Sequence, residues 1–140
     1  MAEIIIRNAN NADIEKIMPF IRRFMLDGEN ISPEQFIVAE VNNNLAGFGR
    51  IKPYENIHEL ASIGVIEDFR KLGIGSQIVK HIIEIFPENE IWLTTKIPDY
   101  FRQFGFVESD NPPVEIEEKC CRVCSSVGGS KFMFLKKHKD

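Results

Sequence analysis

The stretch that most restricts what this chain can fold into runs from Leu60 through Val65-Ile66-Glu67-Asp68-Phe69-Arg70-Lys71-Leu72-Gly73-Ile74-Gly75-Ser76. Leu60–Ile66 reads as a strand, Phe69–Gly73 as a turn, and the residues from Ile74 onward as a helix. Apolar residues at Ile74, Ile78, Val79, Ile82, Ile83 and Phe86 recur at offsets of 4, 5, 8, 9 and 12 from the first, which is one face of a 3.6-residue period. A helix entered through a glycine turn leaves its first N–H groups unbonded and aims its positive dipole end at whatever lies ahead. That geometry binds phosphate, and Arg70 and Lys71 add two positive charges at the same place. The plainer alternative is an ordinary strand–helix turn carrying two solvated basic residues.

Spacing narrows the ligand. A Walker A loop needs four residues between its glycines and then Gly-Lys-Ser/Thr, whereas only Ile74 separates Gly73 from Gly75, and Ser76-Gln77 comes next. A dinucleotide fingerprint needs a third glycine where this chain has Ile78, too bulky for close helix–strand packing. The remaining pattern is Arg70-x-x-Gly73-x-Gly75, with Val65 five residues before the arginine. This resembles the coenzyme A motif of the GCN5-related N-acetyltransferases, the GNAT family, whose glycine-rich turn holds the pyrophosphate of acetyl-CoA.

The rest of the chain reads as one domain, residues 1–140. Ile4–Arg7 is a first strand. Asn10-x-x-Asp13 is a helix start with a cap. Ile14, Ile17, Met18, Ile21, Phe24 and Met25 continue as a helical stripe, in which Pro19 predicts a kink or two short helices. Asp27–Asn30 is a loop. Phe36–Val41 and Leu45–Lys52 form a hairpin across Asn42-Asn43-Asn44, and His58–Ile66 comes after the turn Pro53–Asn56. Pro87 stops the helix after the glycine turn. Glu90–Thr95 is a strand, Asp99–Phe104 a short helix ending at Gly105, and Phe106–Glu108 and Lys131–Lys136 two last strands. The order β, α, α, three β, α, β, α, β, β is similar to that of the GNAT fold. Tyr100-Phe101-Arg102-Gln103-Phe104-Gly105-Phe106 resembles the family's second signature, aromatic-Tyr-x-x-Leu-Gly-Phe. The resemblance covers nearly the whole chain and implies an α/β mixed sheet, mostly antiparallel, with helices on both faces and a splayed strand pair.

Net charge is −4, so a global nucleic-acid footprint is not expected. No apolar run approaches a membrane span, and Met1–Arg7 lacks a basic n-region and a cleavage site. Three cysteines, an odd number, speak against a disulfide scaffold and for a reducing compartment. The expectation is a cytoplasmic protein with neither nucleic-acid nor membrane partner.

The resemblance also assigns roles. Acetyl-CoA is the donor, held at Arg70, Lys71, Leu72, Gly73, Ile74, Gly75 and Ser76. The strand positions Ile63, Gly64 and Val65 offer backbone hydrogen bonds to the pantetheine arm and thioester carbonyl, and a backbone N–H aimed at a developing oxyanion is a large catalytic term. Glu59 is the candidate base. It lies six residues before Val65, an offset that puts both on one side of a regular strand; its alternative is a purely structural carboxylate. The family's tyrosine acid falls at Phe101, one residue after Tyr100. Tyr100 is therefore carried as a candidate acid rotated by roughly 100°, and Phe101 is expected against the cofactor arm.

Leu93-Thr94-Thr95 with the later Phe104-Gly105-Phe106 resembles the N-acetylglutamate synthase branch of the family, which implies an amino-acid acceptor whose carboxylate would meet Arg22, Arg23, Arg50 or Lys52. Ser109–Ser130 is long for a loop. Pro112-Pro113 and the residues after them suggest one helical turn, and Gly128-Gly129 a hinge. Cys121-x-x-Cys124 has ligand spacing but lacks the further pair that a closed zinc site requires, so no metal is expected. The segment's place between the last two strands suggests an acceptor-side lid or a homodimer contact. The expected activity is acetyl transfer to a primary amine in a ternary complex. The rivals are a non-catalytic acyl-CoA-binding module and a protein or peptide N-acetyltransferase.

Overall fold

The computed structural model describes residues 3–123 and 130–137. Seven strands form one sheet: β1 (Ile4–Asn8), β2 (Phe36–Val41), β3 (Asn44–Pro53), β4 (His58–Val65), β5 (Glu90–Thr95), β6 (Val107–Glu108) and β7 (Lys131–Lys136). Their order across the sheet is β1-β2-β3-β4-β5-β7-β6. Every neighbouring pair is antiparallel except β4 and β5. Among the described residues, four α-helices complete the fold: α1 (Asn11–Arg23), α2 (Ile74–Ile85), α3 (Pro98–Arg102) and α4 (Val114–Val123).

The expected elements form for the expected reasons, with three differences. Pro19 lies inside a single thirteen-residue helix rather than dividing it. Burial of Ile17 and Ile21 against Phe36, Val38 and Phe48 holds α1 to the sheet through the missing hydrogen bond. The helix starts from a capping box in which Asn10 Oδ1 accepts from the Asp13 N–H and Asp13 Oδ2 from the Asn10 N–H. Second, α4 is a ten-residue helix where the sequence suggested one turn. Pro113 supplies the carbonyl that accepts from Ile116 and Glu117, and Ile116 is fully buried. The Cys121-x-x-Cys124 pair and the Gly128-Gly129 hinge extend outside the described residues; Cys120 is half-buried and Cys121 exposed.

The third difference lies in β4. Pairing with β3 shifts by one residue between Phe48 and Arg50, and Ser62 sits at φ 51°. This is a β-bulge, which puts one extra residue on β4 and reverses the alternation of side chains beyond it. Glu59 therefore shares the face of Lys52, Arg50 and Phe48, while Ile63 and Val65 turn to the opposite face. The expectation that Glu59 and Val65 face one side is corrected: counting in twos cannot see an inserted residue.

The sheet is covered on both faces. On one, α2 and α3 pack a core of Leu60, Ile74, Ile78, Ile82, Leu93, Phe101 and Phe106. The helix comes close because β3 has glycine beneath it; a Cβ on Gly49 would sit 2.6 Å from Ile78 Cγ2. On the other face lies α1. The parallel pair β4–β5 has a single registered contact, Glu59 with Trp92. Beyond it the two strands diverge, and the β5-facing edge of Ala61–Val65 stays open.

Candidate active site

The divergence of β4 from β5 opens a cleft of about 1500 Å³ that runs from α2 to α4. At one end is the glycine turn. Gly73 caps α2 at φ 77°, and Lys71 is also left-handed at φ 76°. Alternating handedness of this kind turns successive N–H groups inward as an anion-binding nest. Side-chain capping is absent at Gly73, and the first turn holds no acidic residue. The N–H groups of Ile74, Gly75 and Ser76 thus lack an intrahelical or capping partner among the described residues, beside a positive dipole. Arg70 folds over this end: its Nε donates to the Val65 carbonyl at 2.9 Å and its guanidinium lies 5.2 Å from the Phe24 ring centre. The residues present fit a pyrophosphate.

Ile63, Gly64, Val65, Arg70, Lys71, Gly73, Ile74, Gly75, Ser76, Tyr100, Phe101 and Glu59 all line this cleft. Leu72 does not; its side chain is exposed. α3 brings both aromatic candidates to the wall. Phe101 is buried and meets Phe106 edge-on. Tyr100 packs edge-on to Phe101 and Phe104, and its hydroxyl stands 2.9 Å from where a Cβ on Gly75 would be. Burial pushes the Tyr100 phenol up, so it keeps its proton near neutral pH.

Glu59 lies deeper, toward α4, and is 1 % exposed. Its Oε1 accepts from the Tyr54 hydroxyl at 2.7 Å and its Oε2 from Thr94 Oγ1 at 3.1 Å. Lys119 Nζ of α4 lies 3.0 Å from the same Oε2. Burial, and then the charge of Glu59, push Tyr54 upward, so its hydroxyl keeps the proton that it donates to the carboxylate. Lys119, Tyr54 and the bulge at Ser62 are site features that the sequence alone did not reveal. Their signals were a lone lysine in a long connection, a turn tyrosine and a serine inside a strand, and none of these carries a spacing rule.

The loop that closes this end is fastened from below. Arg50, fully buried, donates to Gln35 Oε1 at 2.7 Å, to the Asp27 carbonyl at 3.1 Å and to the Glu29 carbonyl. Lys52 reaches Asp27 Oδ2 at 2.7 Å and Glu29 Oε1 at 2.8 Å. Arg122 adds a two-pronged contact to Glu29, and hydrogen bonds from Arg122 and Lys52 hold the Glu29 carboxyl down to about 2. Ser62 donates to the Asp27 carbonyl at 2.8 Å. Of the four cations expected near an acceptor carboxylate, Arg50 and Lys52 are therefore engaged in the loop. Arg23 is paired with Glu67. Arg22 lines the cleft and forms no ion pair among the described residues.

Residues 6–106 match the model of the acetyltransferase (GNAT) family. An uncharacterized N-acetyltransferase of Chlorobaculum tepidum is 28 % identical over 134 residues, covering 85 % of this chain and 86 % of its own. Among solved structures, N-acetylglutamate synthase from Neisseria gonorrhoeae, complexed with coenzyme A and N-acetyl-glutamate, superposes with a TM-score of 0.81 at 18 % identity over 99 % of this chain. The chain spans about a third (36 %) of that synthase chain. Rv2747 from Mycobacterium tuberculosis, in complex with CoA and NLQ, gives 0.76 at 19 % identity, covering 94 % and 98 % of the two chains. Arabidopsis thaliana Naa50 with the bisubstrate analogue CoA-Ac-MVNAL gives 0.67 at 13 %, covering 95 % and 98 %. Among the described residues no helix is long and apolar enough to cross a membrane.

Proposed function

We propose that this chain, which belongs to the acetyltransferase (GNAT) family, moves the acetyl group of acetyl-CoA onto the primary amine of a small molecule such as an amino acid, by direct attack in a ternary complex. One observation carries the reading. The uncapped first turn of α2, the open edge of β4 and the buried carboxylate Glu59 all face one cleft. Acetyl-CoA supplies the activated acetyl group; the protein supplies the rest. Ile74, Gly75 and Ser76 bind the pyrophosphate through their N–H groups, with Arg70 and Lys71 as counter-charge. The β4 edge at Ile63–Val65 receives the pantetheine arm and offers backbone donors to the thioester oxygen. Glu59 takes the proton from the attacking ammonium, directly or through one water. As the new C–N bond forms, the C–S bond breaks. Tyr100, which lines the cleft and keeps its proton, is the candidate acid for the departing thiolate, which also leaves unaided because a thiol's ordinary pKa is about 8.5.

An acceptor bearing a carboxylate suits the charges at the α4 end. Asp27 and Glu59 are matched by Lys52 and Lys119, which leaves no unpaired carboxylate among the described cleft residues for a second ammonium. Arg22 stands ready for an anion. The fold neighbour complexed with N-acetyl-glutamate is consistent with this. A peptide acceptor is the second reading, favoured by Met25 at the cleft mouth, which is 81 % exposed. Thiol release from acetyl-CoA across amino acids, polyamines and peptides tests both. Turnover with an amino acid is expected. Turnover with peptides alone would replace the acceptor class, and tight coenzyme A binding without any turnover would leave a binding module instead of an enzyme.

A further inference from the structure

We propose that Lys119 is a positioning residue: delivered by α4, it fixes the Glu59 carboxylate in the cleft wall and keeps it charged, so the site is complete only when α4 is docked. This rests on reading Glu59 as the base.

A lysine and a glutamate are almost never buried this deeply unless paired. Lys119 is 4 % exposed and Glu59 1 %. An unpaired carboxylate at that depth would take up a proton and cease to be a base. The other elements packed around Glu59 do not supply the balancing charge. Tyr54, at the β3–β4 turn, donates a hydrogen bond but no charge. Thr94 on β5 does the same. Lys52, the β3 residue in register with Glu59, has its ammonium on Asp27 and Glu29. Arg50 on β3 acts only through space, its guanidinium bonded to the loop. Among the described residues, Lys119 is the cation in contact with the carboxylate.

α4 is also built to deliver this lysine at a fixed place. Its first turn accepts from Asn56 through Glu115, and its last turn reaches Glu29 through Arg122 at 2.6 Å. Ile116, one turn before Lys119, is fully buried. For stability alone an apolar pair would serve as well as a buried ion pair. A buried pair in the wall of a reaction cleft instead sets the position and charge of one group.

The test compares Lys119→Met, Lys119→Arg, Glu59→Gln and the double variant Glu59→Gln/Lys119→Met. In Lys119→Met, kcat at neutral pH should fall at least about tenfold with acetyl-CoA affinity unchanged. The rise of the pH–rate profile should move upward, because the carboxylate has lost its counter-ion. Lys119→Arg should keep the rise in place. In the Glu59→Gln background, removing Lys119 should change kcat no further. If Lys119→Met fails to fold, Lys119→Gln, which retains a donor without charge, carries the same expectation. An unmoved pH–rate profile in a folded neutral variant overturns the proposal, as does an equal loss in the Glu59→Gln background. If Glu59→Gln alone turns over like the wild type, it is the base assignment that fails.

Discussion

Gly75→Glu separates ligand binding from folding, because the two effects have opposite signs at this position. Residue 75 lies in the first turn of α2 with no left-handed backbone requirement. Replacing glycine in a helix gains about 0.5–1 kcal/mol. A carboxylate near the N-terminus adds about 0.3–1 kcal/mol through the dipole. Against this, the new Cβ would fall 2.9 Å from the Tyr100 hydroxyl and 3.4 Å from Val65 Cγ2. The first is the far end of a side chain that makes no hydrogen bond to the described residues, so it can swing aside. Stability should hold or rise slightly. The same carboxylate enters the phosphate nest. One negative charge about 5 Å from another, at an effective dielectric near 20, costs about 3 kcal/mol. Lost hydrogen bonds to a charged group cost about 1.5–3 kcal/mol more. Together they exceed a hundredfold loss of affinity. Calorimetric titration with coenzyme A and thermal unfolding should show weak or absent binding in a protein as stable as the wild type. Wild-type affinity in the folded variant would refute the placement of the pyrophosphate.

Tyr100→Phe should slow turnover by less than about tenfold, since the lost hydroxyl contributes at most an ordinary hydrogen bond of about 0.5–1.5 kcal/mol; a hundredfold drop across the pH range, at unchanged acetyl-CoA affinity, would make Tyr100 the acid. Lys52→Met should destabilise the fold by about 1–3 kcal/mol in chemical denaturation, because Asp27 then keeps only Arg50 at 3.9 Å and the Glu29 N–H at 2.9 Å; a change under about 0.5 kcal/mol would show that those two partners suffice. Acid should loosen the acceptor loop through Glu29, whose folded-state value lies near 2 against an ordinary 4.5. A depressed carboxylate contributes stability that is complete above its unfolded value and lost as pH falls toward the folded one, so the window is about pH 4.5 to 2. Glu29→Gln should flatten stability across that window, and an unchanged acid transition would contradict the assignment.

The glycine turn proposed to hold the pyrophosphate was legible as a turn and helix start because its geometry is local. Arg70, Lys71, Gly73 and Gly75 sit within six residues of sequence, and their geometry comes from a turn and a helix start. The acceptor end is assembled from residues far apart in sequence: Tyr54, Glu59, Thr94 and Lys119 come from four elements. Nothing in the spacing of such residues announces that they meet. Glu59 could be singled out as a carboxylate on β4, but its direction could not, because the bulge at Ser62 reverses the alternation on which the parity argument rested. The bulge shows in the structure, in the shifted β3–β4 register and the Ser62 φ of 51°. The same holds for α4: one buried isoleucine and one buried lysine in a charged segment look like a solvated helix until the partner across the cleft is known.

The charge of the chain and the charge of the cleft differ in sign, and that difference bears on how the donor arrives. The whole chain carries −4, which alone would repel a polyanion. Within the cleft, however, the carboxylates of Asp27 and Glu59 each face a protein ammonium. Arg22, Lys71 and Lys96 line the same cleft and form no ion pair among the described residues, and Arg70 bonds only to a carbonyl there. The cleft therefore presents a positive field between low-dielectric walls, which concentrates an anion locally whatever the net charge outside. Attraction into the cleft should consequently weaken as salt rises, through slower association more than faster release, whereas the Lys119–Glu59 pair, buried at the other end, should be nearly indifferent to salt.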